Sequence, residues 1–192
     1  MKTAKLRLGQ TLPPGEWDEV IYAVNAWTKD DPPRGARIAL PVYTKEDDFN
    51  KLRVLVKRLM RQGFVKFEAA DLAGLRMLKS LGVEDMTADW TLYAFNSWAL
   101  KLLSGMGVKR FVASPENTPE NIKFLRESGY EVETLAQQST PLFISLTEPE
   151  AQTELKVFRR DGLWVTTQPT PRTWEGGSRY DFSWDPEEEG AA

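Results

Sequence analysis

The 192-residue chain contains no cysteine and no histidine. Without cysteine it can build no thiol nucleophile, no cysteine-ligated zinc site and no iron–sulfur cluster of its own. Without histidine it can form no Ser-His-Asp triad and has no imidazole general base. Any catalysis would rest on Asp, Glu, Lys, Tyr, Ser or Thr. Long apolar runs are absent too: nothing approaches the ~18 residues of a membrane span, and "MKTAKLRLGQ" (1–10) lacks the apolar centre of a signal peptide. A soluble cytoplasmic protein without a membrane partner is the expectation. There is no Gly-rich phosphate loop; "EGGSR" (175–179) holds two glycines but opens no helix.

Charge of one sign is also lacking. The chain carries 25 basic and 28 acidic residues, a net −3, which is not the balance of a dedicated nucleic-acid binder. One basic cluster, Lys51, Arg53, Lys57, Arg58 and Arg61 in "KLRVLVKRLMRQ" (51–62), reads as a solvated helix face, with RNA contact as the alternative. The composition, 41% hydrophobic and 28% charged, is that of a globular protein. A chain of this length buries roughly 70% of its unfolded surface and needs no metal or disulfide staple.

What is present is a repeated form. The β-type runs "RIALPVY" (37–43), "FVKFEA" (64–69), "MTADW" (86–90), "VKRFVAS" (108–114) and "EVETLA" (131–136) alternate with helical segments at 46–62, 71–81, 96–105 and 118–128. Phe49, Leu52, Leu55, Val56, Leu59 and Met60 share one helical face; so do Leu75, Leu78 and Leu81, and Trp98, Leu102 and Met106. Gly63, Gly82, Gly107 and Gly129 stand where helices should end. Thr44, Asn96-Ser97 and Thr118-Pro119 stand where they should begin. Strands alternating with helices predict a parallel sheet with right-handed crossovers, an incomplete or small TIM-like (β/α) barrel.

Before residue 37, "KLRLGQ" (5–10) reads as a strand. "WDEVIYAVNAW" (17–27) suits a strand at 19–25 better than a helix, given its Val-Ile-Tyr-Ala-Val content. Residues 1–36 are expected to hold N-terminal strands and a linker, and 37–145 the barrel core. A C-terminal β extension is expected at 146–185, with a hairpin in "LKVFRRDGLWVTT" (155–167) turning at Asp161-Gly162 and a last strand at 179–185. Residues 186–192 read as an acidic tail. Trp164, Trp174 and Trp184 are expected to close the barrel end, or alternatively to stack on bases.

In such a sheet, the residues that reach a ligand lie at the C-terminal strand ends. Those ends supply Tyr43, Glu68 with Asp71, Asp89 with Trp90, Asn96, Glu116 with Asn117, and Gln137 with Gln138. The competing role for Asp71, Asn96, Glu116 and Asn117 is capping the next helix. Glu68, Asp89 and Glu116 together could hold a divalent cation or offer paired carboxylates for acid/base work. Tyr43, Trp90, Asn96 and Asn117 would line a substrate site.

"ADWTLYAFNSWALKLLSGMGVKRFVASPENTPENIKFL" (88–125) resembles the central signature of the collagenase-like peptidases, peptidase family U32. The match runs through Asp89, Trp90, Asn96, Ser97, Gly107, Val108, Arg110, Ser114, Pro115 and Glu116. "RQGFVKFEAADLAGLRMLKSLG" (61–82) and "EVETLAQQSTPLFIS" (131–145) are similar to the units on either side. The resemblance covers about 37–145 and implies a TIM-like barrel, a kept position at Glu116, and activities of two kinds. One is peptide hydrolysis. The other is support of RNA or quinone-precursor hydroxylation with a cysteine-bound iron–sulfur cluster. This chain departs from the family where the cysteines would stand, having Gln137, Gln138, Ser139, Thr140 and Ser145 there, so that cluster is not inherited. Set against the family, the first barrel units are expected to be missing or shortened, as in a C-terminal portion of a longer member or a reduced relative. The readings that follow are an accessory module binding RNA or a protein partner of the same family, a carboxylate-based hydrolase, and a partner subunit in hydroxylation. The sequence leaves the oligomeric state open.

Overall fold

The computed structural model describes residues 2–7 and 11–134, and the strand backbone of 137–145, 155–156, 164–170 and 173–181. The chain divides into two compact units, Met1–Thr134 and Leu135–Ala192.

The first unit holds seven strands: β1 (Thr3–Arg7), β2 (Glu19–Ala23), β3 (Arg37–Ala39), β4 (Lys66–Ala69), β5 (Asp85–Ala88), β6 (Val108–Val112) and β7 (Glu131–Glu133). They pair in sequence order, and every pairing is parallel. Four helices connect them: α1 (Glu46–Arg61), α2 (Leu72–Ser80), α3 (Ser97–Gly105) and α4 (Pro119–Glu127). The sheet is curled. Glu19 on β2 and Arg110 on β6 are four strand spacings apart, roughly 19 Å on a flat sheet. Yet Arg110 Nη1 donates to Glu19 Oε2 at 2.9 Å. The result is an α/β half-barrel, as the alternation of runs predicts. Residues 1–36 contribute β1 and β2 to the same sheet.

The apolar core lies on the convex side. Ile38, Phe67, Met86, Phe111 and Val132 alternate outwards from their strands and pack with Leu52, Leu59, Leu75, Leu78, Leu100 and Leu125 of the helices. Full burial of each such side chain contributes about 1.5–3 kcal/mol. The faces predicted for α1 and α2 are the buried ones. That of α3 is not: Trp98 is 78% and Leu102 67% exposed, while Leu100 and Leu103 face the core. The start of α1 differs as well. Its cap is Lys45, which makes no side-chain cap bond, and Glu46, Asp47 and Asp48 fill the first turn instead. Acids there complement the positive helix end.

The second unit is a four-stranded sheet of β8 (Gln137–Ser145), β9 (Leu155–Lys156), β10 (Trp164–Thr170) and β11 (Thr173–Asp181), in the order β8-β11-β10-β9 and antiparallel throughout. β8 was expected within the barrel core; it pairs with β11 instead. β9 and β10 pair as the predicted hairpin, while Asp161-Gly162, Trp184 and the tail lie outside the described residues.

All four glycines predicted to end helices have positive φ. The tightest is Gly107, where φ is +103° and an added Cβ would meet Met86 Cε at 2.7 Å. Gly105, the last residue of α3, has nothing within 4 Å of such a Cβ. Gly107→Ala should therefore lower stability by about 1–3 kcal/mol. Gly105→Ala should raise it by about 0.5–1 kcal/mol. Paired urea melts of the two variants check both signs.

Candidate functional site on the concave face

A parallel sheet covered by helices on both faces reads as continuous apolar strands. These strands alternate instead: Arg37-Ile38-Ala39, Lys66-Phe67-Glu68-Ala69, Asp85-Met86-Thr87-Ala88 and Glu131-Val132-Glu133. Period-2 alternation sends one set of side chains to each face. The apolar set meets the helices, and the charged set fills the hollow of the half-barrel. Register places Lys66 beside Asp85, Glu68 beside Thr87, Thr87 beside Arg110, and Arg110 beside Glu131.

Near the N-terminal strand ends the centre is Glu19. Its carboxylate accepts from Arg37 Nε (2.9 Å), Lys66 Nζ (2.8 Å) and Arg110 Nη1 (2.9 Å). Arg37, at 0% exposure, also donates to Asp85 Oδ1 at 2.9 Å and to the Phe67 carbonyl at 3.3 Å. Burial alone would push Glu19 up. The hydrogen bonds from Arg37 and Lys66 outweigh it and hold the carboxyl down at about 2.

Towards the C-terminal ends, Lys5 Nζ donates to Glu68 Oε1 at 2.6 Å and to Asp89 Oδ2 at 3.0 Å. Both acids are almost fully buried. Burial works against the Lys5 charge, but Asp89 and Glu68 outweigh it and raise its pKa. The two carboxylates thus favour the ammonium form of Lys5. Glu68 is pushed above the ordinary carboxylate range by burial, against the pull of Lys5. Glu133 is raised for the same first reason, with Arg110 opposing.

Of the predicted site residues, Glu68 and Asp89 meet on this face. Glu116 does not join them. It lies exposed on the loop after β6, its backbone amide donating to Ser114 Oγ at 3.2 Å. Among the described residues no group of three or more acids is arranged to hold a metal ion, so the Glu68, Asp89 and Glu116 triad is not assembled. Asp71 and Asn96 are caps, accepting from Gly74 N at 2.5 Å and Ala99 N at 2.9 Å. Asn117 accepts from Thr118 N and Asn121 Nδ2. Tyr43 is 48% exposed. Trp90 is half-buried, edge-on to Tyr93 at 6.2 Å. Gln137 and Gln138 sit on β8, opposite Asp181 and Tyr180. Trp164 and Trp174 are strand positions of the second unit, on β10 and β11.

Sequence reasoning missed Lys5, Glu19, Arg37, Thr87, Arg110 and Glu133. The alternation of charged with apolar residues inside parallel strands was the signal that could have found them. The basic cluster on α1 is partly engaged. Lys51 bonds Asp48 at 2.9 Å and lies 3.8 Å over the Trp27 ring, and Arg58 pairs with Asp31 at 3.1 Å. Among the described residues no helix is long and apolar enough to cross a membrane. No protein-family model, curated protein or solved structure matches the chain.

The downward shift of Glu19 sets a pH dependence. A carboxyl with a lowered folded pKa stabilises the fold above its unfolded value, ordinarily about 4.3. That contribution is lost as pH falls from there through about 2. Glu19→Gln should be markedly less stable than wild type at neutral pH, and the gap should narrow steadily below pH ~4.3. Thermal melts across that range check the prediction.

Proposed function

We propose that the Met1–Thr134 unit is a reduced half-barrel of the collagenase-like peptidase kind that works in the cytoplasm as an accessory binding module. Its charged concave face receives a ligand and is not a hydrolytic centre. One observation carries this reading: the two strand-end carboxylates that meet, Glu68 and Asp89, are both held by the ammonium of Lys5. An ammonium so placed offsets the charge of the pair and repels a metal cation beside it. A protein partner of the same family suits the unit better than RNA. Trp98, Leu102 and Phe124 are exposed apolar side chains on α3 and α4, whereas cations of α1 are drawn to Asp48 and Asp31. In the hydroxylation variant of this reading, such a partner would carry the cluster and the substrate site.

A second reading, a carboxylate hydrolase, draws on the pairing itself. Glu68 is a buried acid with a raised pKa, beside Asp89 across one nitrogen. That is the environment that separates a general acid from its partner. A divalent metal would serve only this reading.

Peptide and gelatin hydrolysis by the purified chain, with and without added divalent metal, separates the two. The module reading expects no turnover above that of Glu116→Gln and Glu68→Gln. Turnover that either substitution reduces by about 100-fold or more would establish the hydrolase and end the module reading.

A further inference from the structure

We propose that the chain forms a two-fold dimer in which the open edge of β1 pairs antiparallel with β1 of a second copy, through the backbone of Thr3, Lys5 and Arg7. The dimer is independent of the binding-module reading and goes beyond it.

The ladder bonds show which way each edge points. Val24 N donates to the Ala39 carbonyl at 3.0 Å, so the even-numbered backbone groups of β2 face β3 and the odd-numbered ones face β1. In a parallel ladder each of these bonds the residues on either side of its register partner. Glu19, Ile21 and Ala23 therefore bond Ala4 and Leu6. The N–H and C=O groups of Thr3, Lys5 and Arg7 face outwards. Among the described residues no hydrogen bond is made to them, and the Lys5 side chain is turned into the hollow, to Glu68 and Asp89.

β7 ends the sheet differently. The Glu133 carbonyl accepts from Ala113 N at 2.8 Å, so Glu131 and Glu133 face β6 and Val132 faces out. The Val132 carbonyl is taken by Arg126 Nε at 2.8 Å. An exposed strand edge is a template for another strand unless something blunts it. Here an arginine blunts one edge, and the other is left open. A second copy joined head to tail, β1 to β7, would have to displace Arg126. Joined β1 to β1, it displaces no described contact.

The open edge is also complementary to itself. A two-fold axis at Lys5 sets Lys5 opposite its own copy and Thr3 opposite Arg7 of the second copy. These are the residues whose backbone groups face out, so each outward N–H meets a C=O. On the face away from the hollow, Ala4 then stands opposite Leu6 of the second copy, a small side chain against a large one. Like charges directly opposite are ordinarily destabilising. The two Lys5 ammonium groups are each bonded to Glu68 and Asp89 of their own hollow, which offsets the repulsion.

Sedimentation equilibrium of the full chain, in a series up to about 100 μM, is expected to show a monomer–dimer equilibrium. Thr3→Pro removes an outward N–H and none that faces β2, so the sheet keeps its own bonds. It should weaken the dimer by about tenfold or more while the circular dichroism spectrum stays that of wild type. Because the chain has no cysteine, cross-linking reads the register separately. Thr3→Cys chains mixed with Arg7→Cys chains should form the mixed disulfide on mild oxidation, since hydrogen-bonded opposite residues have Cα atoms about 5.5 Å apart. Thr3→Cys chains alone should not cross-link. A monomer at every concentration, a dimer unchanged in folded Thr3→Pro, a dimer lost only on substituting the exposed Trp98 of α3, or cross-linking of Thr3→Cys with itself would overturn the proposal.

Discussion

Glu19 accepts hydrogen bonds from three cations that come from three other strands, a convergence that only a curled sheet allows. Arg37 comes from the adjacent strand β3, Lys66 from β4, and Arg110 from β6. A flat sheet could satisfy the first but never the last. Burying a whole guanidinium is costly unless its charge and its donors are met. Arg37 meets both conditions through Glu19, Asp85 and a backbone carbonyl. Removing Glu19 would leave the buried Arg37 with Asp85 and the Phe67 carbonyl only, and would release Arg110 from its hold across the hollow. Net stability comes mainly from the convex apolar core; the ion network can form only in the curled arrangement of strands.

That division of labour sets this half-barrel apart from a closed one, whose interior is packed by layers of branched apolar side chains. Here the large apolar residues Ile38, Phe67, Met86, Phe111 and Val132 are spent on one face, against α1 to α4, and the other face carries the ion pairs beside a few apolar side chains such as Ile21 and Val112. The outermost strands are secured through the same network. β1 has one strand neighbour, β2, and is tied across the hollow by Lys5 to β4 and to the turn after β5. β7 likewise has one neighbour, and Glu131 and Glu133 converge on Arg110. Edge strands bound by side chains reaching inwards keep their place without a closing partner.

The helices and their ends were legible because their signals are local. Asn96 and Thr118 cap as expected, Pro119 opens α4, and glycine closes each helix. α3 misled because "SWALKLLSG" is apolar nearly all round. Trp98, Leu102 and Met106 form one stripe at helical spacing, Leu100 and Leu103 another, and periodicity cannot choose between them. The side of the sheet decides. The site was half legible. The strand-end rule finds Glu68 and Asp89, since it needs only parallel order. It cannot find Lys5, which is 63 residues from Glu68, or the link from Glu19 to Arg110, 91 residues away. Such pairs exist only once the sheet has curled. Glu116 sits at a strand end too, but the Ser114-Pro115 turn carries it outwards.

Burial acts on Glu19 and Glu68 in the same sense, yet the two carboxyls move in opposite directions. The difference lies in how many cations each commands. Glu19 accepts from three, of which Arg37 and Arg110 also pair with other acids, whereas Glu68 and Asp89 share one, and Glu133 has the flank of a guanidinium whose Nε hydrogen is directed elsewhere. Towards the N-terminal strand ends the charges are matched, Arg37, Lys66 and Arg110 against Glu19, Asp85 and Glu131. Towards the C-terminal ends three acids, Glu68, Asp89 and Glu133, face only Lys5 and the flank of Arg110. The excess of negative charge on this face therefore lies at the C-terminal ends of the strands.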